Sequence, residues 1–292
     1  MTELYDWFIA PFAEFSFMRR ALVACLALGL SSAPVGVLLV LRRMSLVGDA
    51  MAHALLPGAA LGFIAAGFSL YAMGLGGFIA AMLVATLAGW VTRKTGQRED
   101  ASFAAFYLIA LAGGVMLISL RGNSVDLMHV LFGTILAVDD DALILMTAVS
   151  SVTLVALALM YRPLVVECFD PGFLRSVGGR GGLVHLLFQT LVVLNLVSGF
   201  QALGTLMAVG LMMLPAASAR FWAVRVSSLF AVAALIAVAS GMAGLLISYH
   251  AHLPSGPAIV LVAGAAYIAS LLLGRRDSAL QFLLRKQSHR IA

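Results

Sequence analysis

From Phe17 to Gly274 the chain is a succession of long apolar runs separated by short polar stretches. The runs fall at roughly residues 17–41, 47–67, 70–92, 101–120, 141–161, 183–199, 204–219, 226–248 and 258–274. A membrane span needs about 20 apolar residues at about 1.5 Å each, and most of these runs reach that length. They far exceed what a core strand or a buried soluble helix requires. The pattern predicts an all-α, polytopic bundle of about eight or nine transmembrane helices. Short re-entrant or broken helices are expected as well, because hydropathy leaves open whether 126–137 and 204–219 cross or turn back. Pro34, Pro57 and Pro215 lie inside apolar runs, and each removes a backbone donor, so kinks or breaks are expected there.

Composition agrees with that pattern: 62% of residues are hydrophobic and 11% charged, and the mean hydropathy is +1.06. These values exclude an ordinary soluble domain. The first residues carry Glu3, Asp6 and Glu14 ahead of an uninterrupted apolar run, which does not read as a cleavable signal. No soluble domain is expected beside the spans, and the whole chain reads as one transmembrane unit. Cys25 sits mid-span and Cys168 in a polar connection, so neither a disulfide nor a thiolate metal site is expected.

The net charge of +5 does not imply nucleic-acid binding, since the basic residues form no continuous face. They cluster instead at Arg42-Arg43, in TRKTGQRED, in YRPLVVECFDPGFLRSVGGRGG, in ARFWAVR and in the tail from Arg275. With the spans above, all five clusters fall on one side, which the positive-inside rule makes cytoplasmic. Only Arg19, Arg20 and Arg121 then lie at the other face, and the N-terminus is outside.

Of the 13 acidic residues, twelve lie in terminal segments or between spans. Asp49 alone falls inside an apolar run, where a carboxylate is disfavoured by a few kcal/mol. His53 follows one helical turn later on the same face. A carboxylate oxygen and a neutral imidazole nitrogen so placed suit a divalent cation such as Zn²⁺ or Mn²⁺. Two other readings stand beside that one: a helix-start cap with a packed histidine, and a proton relay.

A second polar island holds Asp126 and His129, again spaced for one helical face. Two Asp/His pairs in a chain with six histidines favour a cation pathway. The charge rule puts Asp49 toward the cytoplasmic end of its span and Asp126 outside. The pairs therefore share one ion only if residues 126–137 dip inward or the second span is displaced; otherwise they are successive stations. Asp139, Asp140 and Asp141 read as caps of the next span. His250 and His252 lie in a Pro/Gly turn and read as loop residues, with reception of metal as the alternative.

No G-x-x-x-x-G-K-[ST] loop, G-x-S-x-G elbow or H-E-x-x-H pair occurs in the sequence. An integral ATPase or a hydrolase of those types is thereby disfavoured. Rival readings are a proton-coupled secondary metal transporter and a membrane-embedded enzyme. Gly58 and Gly62 form a G-x-x-x-G, which reads as helix packing.

RRMSLVGDAMAHALLPGAALGF, VDLMHVLFGTILAV, FDPGFLRSVG and GTLMAVGLMMLPAASAR, in that order, resemble the permease subunits of ABC importers for zinc and manganese. The likeness runs from about Phe17 to about Leu273. It implies a homodimer in the cytoplasmic (inner) membrane, a separate ABC ATPase subunit, and an extracytoplasmic metal-binding protein that delivers the cargo. Zn²⁺ or Mn²⁺ would be transported, with no permanently bound cofactor and no nucleic-acid partner. The family's motif acid and histidine fall on Asp49 and His53, and its later acid on Asp126. His129 matches manganese-type members better than some zinc-type ones, and the metal stays open. The likeness further implies ATPase docking at residues 162–182. There Asp170 would cap a short helix, and Phe173, Leu174 and Val177 would offer its apolar face. A plain surface loop is the alternative.

Overall fold

The computed structural model describes residues 5, 7–67, 69–120, 138–176, 181–276, 278–279 and 281. Among them the chain forms twelve helices and no strand: α1 (Ala10–Glu14), α2 (Ser16–Leu41), α3 (Ser45–Ala66), α4 (Leu70–Thr95), α5 (Glu99–Leu120), α6 (Asp140–Leu159), α7 (Tyr161–Phe169), α8 (Pro171–Ser176), α9 (Gly181–Leu203), α10 (Thr205–Ala219), α11 (Val226–Ala251) and α12 (Ser255–Leu273). Eight of the nine predicted runs are helices long and apolar enough to cross a membrane. The ninth, α10, has 15 residues. That is about 22 Å of helix, short of a hydrocarbon core of about 30 Å. The bundle is therefore all-α and polytopic, as the hydropathy pattern predicts.

α2 and α9 are the most buried spans, while α5, α6 and α12 keep much of their surface on the periphery. Apolar residues all round a helix mark the bundle interior or a lipid-facing position, and both kinds occur here. Two contiguous cores result. One joins the end of α2 to α3, α4 and α9 through Leu39, Leu55, Ala85 and Leu196. The other joins α2 to α10 and α11 through Cys25, Leu28, Leu211 and Ala237. Polar side chains tie the spans where lipid offers no alternative partner. Ser150 Oγ donates to the Ala27 carbonyl at 2.7 Å, and Asn195 Nδ2 donates to Thr153 Oγ1 at 2.9 Å. Each such bond adds about 0.6 kcal/mol in a membrane bundle.

α3 and α4 approach backbone to backbone. A methyl group placed on Gly58 would strike the Gly76 backbone, and one on Gly62 would strike Ala72. The small residues of the G-x-x-x-G are therefore required by contact, as the packing reading holds. The expected proline breaks do not occur: α2, α3 and α10 run through Pro34, Pro57 and Pro215 without interruption. Membrane helices tolerate such residues where neighbouring helices and local adjustment satisfy the freed carbonyl.

Contacts between residues distant in sequence sort the helix ends into two sets. At one end Arg20 Nη2 meets Asp140 Oδ1 at 3.0 Å, Trp7 stacks on His250, and Gln201 Nε2 donates to the Leu70 carbonyl. At the other, Arg42 meets Glu167, Glu99 meets His185, and Trp222 Nε1 donates to Ser270 Oγ. The second set holds Arg42, Arg93, Lys94, Arg162 and Arg220, and is the cytoplasmic end by the positive-inside rule. Trp7 lies with the first set, in agreement with an outer N-terminus. Asp139 caps α6 by accepting from the Ala142 amide at 2.9 Å, as expected of that acidic run.

Candidate functional site

The α2–α3 corner is made by Arg42, Arg43 and Met44, with Arg43 in the left-handed region at φ 59°. α3 then starts at Ser45, which puts Asp49 in its second turn and His53 one turn deeper. His53 Nε2 lies 3.7 Å from Asp49 Oδ1. That is long for a hydrogen bond. It matches two ligands of one ion, since bonds of about 2.0–2.3 Å at a tetrahedral angle separate donor atoms by roughly 3.3–3.8 Å. The His53 ring lies against Tyr107 of α5, at 6.1 Å between centroids. This contact steadies the imidazole.

Both side chains are partly exposed: Asp49 is 59% exposed and His53 32%. They border a cavity of about 260 Å³ whose other walls are Ala52, Thr205, Leu206, Val209, Gly210 and Val260. Apart from Thr205, that lining offers the site no further polar side chain among the described residues. Among the described residues no third His, Cys, Asp or Glu joins the pair to complete a metal cluster. The second predicted pair, Asp126 and His129, lies outside the described residues.

Thr205 opens α10 directly after Gly204, whose φ of 83° makes the sharp turn out of α9. It borders the same cavity as His53, whereas α3 continues from His53 to Ala66. Those 13 further residues are about 20 Å of helix. The start of α10 thus borders the site, while Gln201, just before the break, reaches the Leu70 carbonyl at the start of α4. A short broken helix beside the Asp/His pair fits the expected re-entrant elements and a polar site within the bundle.

The predicted docking connection is helical rather than a plain loop. α7 leads to Asp170, which accepts from the Phe173 amide at 2.8 Å and caps α8. Phe173 is 55% exposed. Leu174 is half-buried and packs on the core that joins α3, α4 and α9. Val177 lies outside the described residues. Cys168 is partly buried in α7, and that burial pushes its thiol up to about 11 despite the nearby Arg42.

The histidines of the outer turn are held by structural contacts. His250 stacks on Trp7 at 4.1 Å with Nε2 at 3.1 Å from the Trp7 carbonyl oxygen, and His252 ends α11 at φ 53°. Sequence reasoning missed Tyr107 and Thr205 as neighbours of the site, and missed the meeting of Arg42 with Glu167. Tyr107 and Thr205 are ordinary residues of apolar segments, and Arg42 reads equally well as a topology marker.

Residues 14–274 match the model of the ABC 3 transport family. The chain is 31% identical to the manganese import system permease protein ScaB of Streptococcus parasanguinis, over 98% of both chains. It is 31% identical to the manganese transport system membrane protein MntC of Listeria monocytogenes, over 94% of this chain and 96% of that one. Its fold matches PsaBC from Streptococcus pneumoniae, solved in complex with Fab, with a TM-score of 0.82 and 28% identity over 97% of this chain and 99% of that one. The chain therefore belongs to the ABC 3 transport family: it is a multi-pass membrane permease, a transport component and not an enzyme.

Proposed function

We propose that this chain is the membrane permease of an ATP-driven importer of a divalent transition metal, with Mn²⁺ the favoured cargo over Zn²⁺. One observation carries the reading: the Asp49/His53 pair, 3.7 Å apart, lies partly exposed on a membrane-spanning helix. An acid half exposed toward lipid is disfavoured, so the face that bears it must meet protein or a water-filled path. A second copy of the chain, related by a two-fold axis, supplies such a cover. Two protein ligands hold a transition metal weakly, and three or four are usual. Asp126 and His129 of the same chain are the proposed complement; the same Asp/His pair of a second copy is the other source. Carboxylate oxygen suits the harder Mn²⁺, and imidazole suits either metal. The manganese systems named among the relatives weigh toward Mn²⁺.

The remaining parts follow from the family. Hydrolysis of ATP falls to a partner ATPase that docks on α8 through Phe173 and Leu174, with Val177 beyond, on the helix that Asp170 caps. An extracytoplasmic binding protein delivers the metal at the face that carries Trp7 and His250. The test is uptake of radioactive manganese and zinc, side by side, in cells lacking this chain and in cells given it back. Restored manganese uptake supports the reading. Restored zinc uptake alone would reverse the cargo assignment, and uptake without any ATPase partner would favour a secondary transporter.

A further inference from the structure

Arg42 leaves the end of α2 and turns its guanidinium into the bundle, where Nη2 lies 3.4 Å from Glu167 Oε1 on α7. The side chains are 10% and 9% exposed. The guanidinium also lies over the Phe188 ring of α9, 5.1 Å from its centroid. A buried ion pair contributes little to stability, because desolvation of both charges offsets their attraction. Apolar residues of similar volume would hold α2, α7 and α9 together at least as well. Stability alone therefore does not account for the pair.

Position along the chain offers the account. Arg42 stands seven residues before Asp49, about 10 Å of chain axis if helical. The intervening corner is stitched by backbone bonds, Met44 N to Leu39 O at 2.9 Å and Val47 N to Met44 O at 3.1 Å. These bonds join the corner at Arg42 to the first turn of α3. Glu167 stands three residues before Asp170, the cap of α8, which presents the exposed Phe173. The pair is therefore a side-chain link, beside the packing of Leu174, between the segment proposed to meet the ATPase and the corner that leads into the helix carrying Asp49 and His53. Beside it opens a cavity of about 240 Å³, lined also by Thr92, Arg93, Glu99 and His185. The corner and α7 thus border open volume rather than a closed core.

We propose that Arg42 and Glu167 are a positioning pair that transmits movement of α7–α8 to the metal-bearing helix α3, so that ATP hydrolysis is coupled to transport. The inference rests on the import reading given above. Arg42 does not line the Asp49/His53 cavity, and Glu167 is buried on α7 ahead of the exposed Phe173, so ATPase retention is measured separately from coupling for each variant.

The experiment uses the full complex of permease, ATPase and binding protein in proteoliposomes, with Mn²⁺ as cargo. The variants are Arg42→Met, Glu167→Gln, the charge-swapped double Arg42→Glu/Glu167→Arg, and wild type. Metal transported per ATP hydrolysed is the readout, alongside ATPase content and thermal stability of each complex. The single variants are expected to retain the ATPase and its hydrolysis while the coupling ratio falls about tenfold. The swapped double is expected to recover most of that ratio. Single variants that couple as wild type would overturn the proposal, as would a double no better than its singles. Should the singles fail to assemble because one charge is left buried, the double decides alone. A double that assembles and couples supports the pair, and one that fails in either respect overturns it. A wild-type complex that moves no metal would instead mark failure of the import reading itself.

Discussion

His53 Nε2 faces Asp49 Oδ1 across 3.7 Å, one turn apart on α3 and at the rim of a cavity roofed by the start of α10. If the pair holds a metal as proposed, it needs further ligands, since no third His, Cys, Asp or Glu joins it among the described residues. Asp49→Ala and His53→Ala are each expected to abolish metal uptake while membrane insertion and ATPase retention stay normal, since removal of a carboxylate eases insertion. Asp126→Ala decides what completes the site. If Asp126 shares the ion, its loss approaches that of Asp49→Ala, and the double variant adds little. Independent losses, with Asp126→Ala chiefly raising the apparent KM, would show two stations. Initial uptake rates across a metal series measure both.

Phe173 is the exposed apolar tip of α8, whereas Leu174 turns partly into the bundle. Phe173→Asp should therefore prevent copurification of the ATPase, because docking would bury an unpaired charge. Asp170→Ala should act more mildly, weakening α8 by about 1 kcal/mol through loss of its cap. Recovery of the ATPase at wild-type yield with Phe173→Asp would place docking elsewhere.

The close approach of α3 and α4 is tested by volume alone. Gly58→Ala would drive a methyl into the Gly76 backbone, and an overpacked contact of that kind typically destabilises by about 1–3 kcal/mol. At Gly113, where nothing among the described residues lies within 4 Å, the same change should be tolerated. Thermal unfolding of the purified variants in detergent compares the two; equal midpoints would contradict the packing described.

The Cys168 thiol, pushed up to about 11 by burial, should be protonated at neutral pH. Only the thiolate is nucleophilic, so its modification by a maleimide should be slow at neutral pH and rise about tenfold per pH unit up to its pKa. A rate that saturates below pH 9 would mean that the thiol is not held protonated as described. The measurement is labelling kinetics on a Cys25→Ala background.

What could be read in advance follows the locality of each signal. The spans were legible because lipid demands unbroken apolar length, and Asp139 because a cap acts over three residues. Asp49 and His53 stood out because an acid within an apolar run has few structural excuses. Contacts between distant segments were not legible. Glu99 and His185 meet at 3.3 Å, yet one reads as a loop acid and the other as a span residue. Arg42 carries the same local pattern whether it marks topology or pairs with Glu167. The start of α10 was open for a similar reason, since hydropathy counts length but does not say at what depth Gly204 turns the chain. Proline misled in the opposite direction, because its local preference was overridden by neighbouring helices at Pro34, Pro57 and Pro215.

The most direct test of the central claim is the electron paramagnetic resonance of Mn²⁺ bound to the reconstituted transporter, read for coupling to imidazole nitrogen. Wild type should show that coupling, and His53→Ala should lose or diminish it while His250→Ala leaves it intact. Nitrogen coupling of unchanged strength in His53→Ala, with Mn²⁺ still bound, would contradict the assignment of His53 and Asp49 as the metal's ligands.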